Sequence, residues 1–141
     1  AAAAALLGAP LSHDFCCISL SDRLTPWELI QRRLAAAAGA DFVIALYNPK
    51  SKGRDWQFAQ ALEIIGRQRP AATPVGLVKA AMRPEQTVVV TSLGQADAAE
   101  VDMHTLVIVG SSQSFVHGGR MITPRGYLGK YGQDWDQARR D

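Results

Sequence analysis

The sequence predicts an α/β domain: a mixed parallel and antiparallel sheet of about five strands flanked by helices. Three observations carry that expectation. Apolar, partly β-branched runs alternate with helical patterns through the first half of the chain. The run "FVIALY" at residues 42–47 is apolar at nearly every position, as in a central strand covered on both faces. Two further strand patterns, "VGLVKA" and "TVVVTSL", are joined only by "AMRPEQ". That connection is too short for a helical crossover, so these two strands are expected to run antiparallel.

Length and composition set the frame. With 141 residues the chain fits one domain, and chains of about 150 residues bury roughly 68–70% of their unfolded surface. Hydrophobic residues make up 48% and charged residues 20%, and a net charge of +2 is too small to point to nucleic acid or an acidic membrane. No apolar run approaches the roughly 20 residues of a membrane span. The Ala-rich start lacks the basic flank and the length of a signal peptide. These features predict a soluble, cytoplasmic protein.

The elements follow in order. "AAAAALLGAP" is a helix stopped by Gly8 and Pro10. Seven residues are marginal alone, so it reads as the tail of a longer helix, with residues 1–13 as a linker. Residues 14–21, "DFCCISLS", form a strand with a polar end at Ser21-Asp22. Neighbouring Cys16 and Cys17 point to opposite faces and suit neither a disulfide nor a metal site, so inert, half-buried thiols are expected. "TPWE" starts a helix, with Thr25 as cap, Pro26 in the first position and Glu28 completing a capping box. It ends at Gly39, with Leu29, Ile30, Leu34 and Ala37 toward the sheet.

After the strand at residues 41–47, a cationic loop runs from Asn48 to Gly53. A helix over 54–68 then places Trp56, Ala59, Leu62, Ile65 and Gly66 along one side. Strands follow at 75–80 and 87–93, then a short helical turn in "QADAAEVD" and another central strand at 105–110. Residues 114–116 and 120–123 make a hairpin around His117-Gly118-Gly119, because a Gly-Gly pair supplies the positive φ of a tight turn. Residues 128–141 read as a polar tail.

Ligands of α/β sheets gather at the carboxyl ends of strands. Four polar or small clusters fall at such ends: Ser21-Asp22, Tyr47-Asn48, Ala80-Ala81-Met82 and Gly110-Ser111-Ser112. They form one site if their strands lie side by side. No GxSxG, HExxH or Walker pattern is present. His13, His104 and His117 are scattered and read as surface or turn residues. Arg125, Tyr127, Lys130 and Tyr131 read as a solvated tail rather than a base-stacking platform.

"LLGAPLSHDFCCISLSDRLTPWELIQRRL", "ADFVIALYNPKSKGR", "TPVGLVKAAMRPEQ" and "VDMHTLVIVGSSQSF" followed by "GGRMITPRGY" together resemble the C-terminal half of the tetrapyrrole (corrin/porphyrin) methyltransferase family. The match is to the branch that methylates carbon 17 of precorrin-3B, and it runs in order from Leu6 to Tyr127. The resemblance implies the C-terminal domain of a two-domain fold at residues 14–127, with S-adenosylmethionine held in the cleft between the domains. It implies methylation with ring contraction to precorrin-4 in cobalamin biosynthesis, and a homodimer. The family's first domain, with its Gly-rich loops, has no counterpart here, so the chain alone is expected to be inactive. A non-catalytic dimerisation or scaffolding module derived from the family is the alternative.

Carried over by position, the resemblance implies that Tyr47 and Asn48 pack around the adenosine, that Ala81 and Met82 lie on the adenine, and that Ile108 and Val109 close the far side. It names no general acid or base. Lys50, Lys52 and Arg54 are candidates for the carboxylate arms of the tetrapyrrole, or else form a solvated cationic loop. Ser21 and Asp22 either face the macrocycle or serve the turn that holds them.

Overall fold

The computed structural model describes residues 2–50 and 55–125. Strand β3 (Val43–Tyr47) separates two cores. Its residues Val43, Ile44, Ala45 and Leu46 are all buried. Ile44 and Leu46 join the core beneath helices α2 (Trp27–Gly39) and α3 (Gln57–Gly66). Val43 and Ala45 join the core beneath helix α1 (Ala2–Leu7). The two-residue period of a strand thus feeds apolar side chains to both faces, as the unbroken apolar run predicts.

The main sheet has five strands in the order β2-β3-β6-β4-β5. Strand β2 (Phe15–Ser19) is parallel to β3. Strand β6 (Thr105–Val109) lies antiparallel between β3 and β4 (Pro74–Lys79), and β5 (Thr87–Ser92) pairs antiparallel with β4, as the short connection requires. Strands β2, β3 and β4 therefore run one way, and β6 and β5 run the other. A single 3-10 turn, Ala98–Glu100, precedes β6.

A second sheet joins β1 (Gly8–Ala9), β8 (Arg120–Ile122) and β7 (Phe115–His117), in the order β1-β8-β7. The hairpin β7-β8 turns on Gly118 and Gly119, at φ 57° and 74°. Strand β1 is an addition to what the sequence suggests. Gly8 sits at φ 127°, where an added Cβ would lie 2.9 Å from the carbonyl oxygen of Met121. The residue that stops α1 is thus also the one that permits close parallel pairing with β8.

Two local expectations need correction. The capping box of "TPWE" does not form: α2 begins at Trp27, and Pro26, with ψ 139°, is the cap and receives no side-chain hydrogen bond. Its carbonyl accepts from the amides of Leu29 and Ile30 instead. Helix α3 starts at Gln57 and buries Gln57, Phe58, Ala61, Ile64 and Ile65. Trp56 is not on that face. It stands at the surface, edge-on to Trp27 with ring centroids 5.0 Å apart, so a stripe counted from it is rotated by about one residue, roughly 100°.

Arg69 fastens the sheet end opposite the carboxyl ends of β2, β3 and β4. It is 6% exposed and donates to the carbonyls of Gly110 (2.7 Å), Ala37 (3.3 Å) and Phe42. Burial lowers its pKa against the pull of Asp41 and Cys16, but a guanidinium remains charged. Cys16 is partly buried and Cys17 exposed, both as free thiols. Burial, reinforced by Cys17 and opposed by Arg69, pushes the Cys16 thiol up, which keeps it protonated and unreactive. Among the described residues no helix is long and apolar enough to cross a membrane. The expected tail at 128–141 lies outside the described residues.

Replacing Arg69 removes the donors of three carbonyls at once. Since hydrogen bonds to a charged group contribute about 1.5–3 kcal/mol each, Arg69→Met is expected to cost about 3 kcal/mol or more in urea denaturation. A loss below about 1 kcal/mol, the range of ordinary surface changes, would show that the clamp is dispensable.

Candidate functional site

Strand direction decides which expected residues meet. Because β2, β3 and β4 run together, Ser21-Asp22, Tyr47-Asn48 and Ala80-Ala81-Met82 lie along one sheet edge. The reversed β6 presents its start there, with Lys79 opposite Thr105. Its end, Gly110-Ser111-Ser112, is at the other edge, where the Ser112 amide donates to Asp41 Oδ1 at 2.7 Å. The structure does not bring Ile108 and Val109 to the ligand edge either. Both are fully buried within the sheet, Ile108 beside Ala45 and Gly76, Val109 beside Ile44 and Val75.

The shared edge is shaped by backbone that L-residues rarely adopt. Asn48, Ala80 and Met82 have φ of 53°, 51° and 66°. Such conformations cost free energy and concentrate at functional sites. Local bonds hold them. Asn48 Nδ2 donates to Ser19 Oγ at 3.1 Å, the Met82 amide donates to Gln86 Oε1 at 2.7 Å, and the Arg83 amide to the Ala80 carbonyl at 3.0 Å.

The two faces of this edge differ. On the side of α2 and α3 lies a cavity of about 330 Å³ lined by Leu20, Ser21, Asp22, Arg23, Asn48, Lys50, Gln57, Met103 and His104. An adjoining hollow of about 670 Å³ shares Ser21, Arg23 and Asn48 and continues past Ser19, Leu24 and Thr25. Together they make one open trough, rich in polar and charged side chains. On the α1 side, Tyr47 has the same strand parity as Val43 and Ala45, and Ala81 packs against the core that contains them. Tyr47 is 45% and Met82 76% exposed, so apolar surface stands free there.

Four expected residues, Ser21, Asp22, Asn48 and Lys50, therefore meet in the trough. Asp22 accepts from Gln57 Nε2 at 3.3 Å. Lys52 and Arg54 lie outside the described residues. Arg23, Gln57, Met103 and His104 escaped the sequence reading. The last two were legible only with the direction of β6 known, since a strand entering an edge contributes what precedes it.

Asp102 secures that entrance. It accepts from the His104 amide at 2.8 Å and the Thr105 hydroxyl at 3.0 Å, with Lys79 Nζ 3.8 Å away. Burial works against its charge, but those two donors and the positive charge of Lys79 outweigh it and hold the carboxyl below its ordinary pKa.

The fold and this edge define an α/β domain with an open polar trough at its strand ends. The chain belongs to the Tetrapyrrole (Corrin/Porphyrin) Methylases, whose family model matches residues 1–97. It is 55% identical over 126 residues to the probable cobalt-factor III C(17)-methyltransferase of Salmonella typhimurium, covering 89% of this chain and 52% of that protein. It is 52% identical to a precorrin-3B C(17)-methyltransferase from Sinorhizobium, covering 91% and 52%. The crystal structure of the methyltransferase CobJ superposes with a TM-score of 0.83 at 43% identity, covering 87% of this chain and 52% of that one. The chain thus spans about half the length of these relatives.

A carboxyl with a depressed pKa stabilises the fold fully above its unfolded value, and that contribution fades as pH falls through the lower folded value. The gap in thermal stability between the wild type and Asp102→Asn should therefore be constant from about pH 5 to 7 and close below about pH 4, where free aspartate titrates. A gap that stays unchanged as the pH falls well below about 4, the free aspartate value, would contradict the role given to Asp102.

Proposed function

We propose that this chain is one domain of an S-adenosylmethionine-dependent methyltransferase that acts on C17 of a corrin precursor, precorrin-3B or its cobalt-bearing counterpart, in cobalamin biosynthesis. The observation that carries this reading is the two-sided edge: exposed apolar surface at Tyr47 and Met82, with partly buried Ala81, on one side, a polar and cationic trough on the other. The similarity to two C(17)-methyltransferases supports it.

The residues fit the cofactor's nucleoside. A purine needs apolar walls and little steric bulk, and Ala81, between the left-handed Ala80 and Met82, leaves room for a ring against the strand end. Tyr47 and Asn48 would flank the ribose. The cofactor, when bound, supplies a methyl group already activated by its sulfonium. The chain's own task is then to orient and to exclude water. In the trough, Arg23 and Lys50 would pair with carboxylate arms, with Lys52 and Arg54 as further cations on the same loop. Ser21 would line the macrocycle's path. Ile108 and Val109 back the edge as the packed interior of β6.

Such a half-site needs a facing wall, which the remaining half of the relatives' length would supply, so the chain alone is expected to be inactive. The expected homodimer draws support from β5, whose Val88 and Val89 are exposed along an outer strand.

Calorimetric titration of S-adenosylhomocysteine into this chain, alone and joined to the other half of the Salmonella relative, tests the reading. Measurable affinity in the joined protein is expected, weakened at least tenfold, about 1.4 kcal/mol, by Ala81→Trp with the circular dichroism unchanged. Equal affinity in the variant would remove the adenine from this edge.

A further inference from the structure

Gln57 carries an inference beyond cofactor binding, and it rests on the reading just proposed. The side chain is 3% exposed, lines the cavity, and is the first residue of α3. The bond at 3.3 Å runs from Gln57 Nε2 to a carboxylate oxygen of Asp22, an acceptor, which fixes the amide with Nε2 toward Asp22. Its Oε1 is then left buried without a hydrogen-bond partner. A buried acceptor without a donor is a cost that natural folds rarely carry. Leucine or methionine at this position would pack equally well in the helix and avoid it.

We propose that Gln57 is a specificity-determining residue for the tetrapyrrole: held by Asp22, it accepts a hydrogen bond from an N–H or O–H of a carboxylate-bearing macrocycle whose acidic arms meet Arg23 and Lys50. The size of the trough favours this ligand over the amino-acid end of the cofactor. The cavity of about 330 Å³ opens into a hollow of about 670 Å³, more than an amino-acid group fills. The charges agree, since among the described residues Arg23 and Lys50 are the lysine and arginine side chains lining the cavity, beside the carboxylate of Asp22.

In the chain joined to the other half of the Salmonella relative, uroporphyrin III, a polycarboxylate tetrapyrrole with free ring N–H groups, is the probe, and S-adenosylhomocysteine the control. Trp56, next to Gln57 and 41% exposed, offers a fluorescence reporter. Gln57→Leu is expected to weaken porphyrin binding about tenfold, to leave binding of the control unchanged, and to melt at the same temperature as the wild type or higher. Lost affinity alongside unimpaired stability is the signature of an acceptor kept for a ligand. Three outcomes overturn the inference: unchanged porphyrin affinity in the variant, equal weakening for both ligands, or a fall in melting temperature that parallels the loss of binding. If the joined wild-type protein binds the control but no porphyrin, the substrate side of the functional reading fails and takes the inference with it.

Discussion

The insertion of β6, antiparallel, between β3 and β4 is the constraint on which the site depends. It leaves the strands on either side parallel to each other but not adjacent, so their carboxyl ends flank a strand that is just beginning. The edge therefore mixes two kinds of chain segment. Loops leaving β2, β3 and β4 bring Asp22, Asn48, Lys50 and Met82, while the segment entering β6 brings Met103 and His104. A parallel β6 would have brought Gly110-Ser111-Ser112 instead, and the trough would lack its far wall.

That arrangement is held by ordinary means. Val43, Ile44 and Leu46 of β3 are each completely buried, and burying such a side chain contributes about 1.5–3 kcal/mol. Because they divide between two cores, neither α1 nor the α2-α3 layer can be lost without exposing half of β3. At the end away from the ligand edge, Arg69 draws together the carbonyls of α2, of the turn before β3 and of the residue after β6. That end is thus stapled by a buried cation, while the ligand edge carries the left-handed Asn48, Ala80 and Met82 and exposed side chains; Asp41, also left-handed, sits at the stapled end. Stability and function occupy opposite ends of the same strands.

Much of this was legible in the sequence, and the limits have physical reasons. The unbroken apolar run of β3, the antiparallel β4-β5 pair and the Gly118-Gly119 turn are local patterns, and all three appear as expected. The direction of β6 is not local: "TLVIVG" reads identically either way, and only pairing with β3 and β4 decides it. For that reason Gly110-Ser111-Ser112, expected at the ligand edge, lies at the opposite end. The face of α3 differs from the expected stripe because Trp56, which a helical pattern makes a core anchor, stands exposed against the partly buried Trp27. Gln57 carried no signal at all, since an unpaired acceptor exists only in three dimensions.

The most direct test of the account is an amide-resolved NMR titration of this chain, joined to the other half of the Salmonella relative, with S-adenosylhomocysteine. The predicted shifts fall on residues 47–48 and 80–82, at the ends of β3 and β4 on either side of β6. Shifts centred on residues 110–114 and Asp41, with the first set unmoved, would place the ligand at the stapled end and contradict the account.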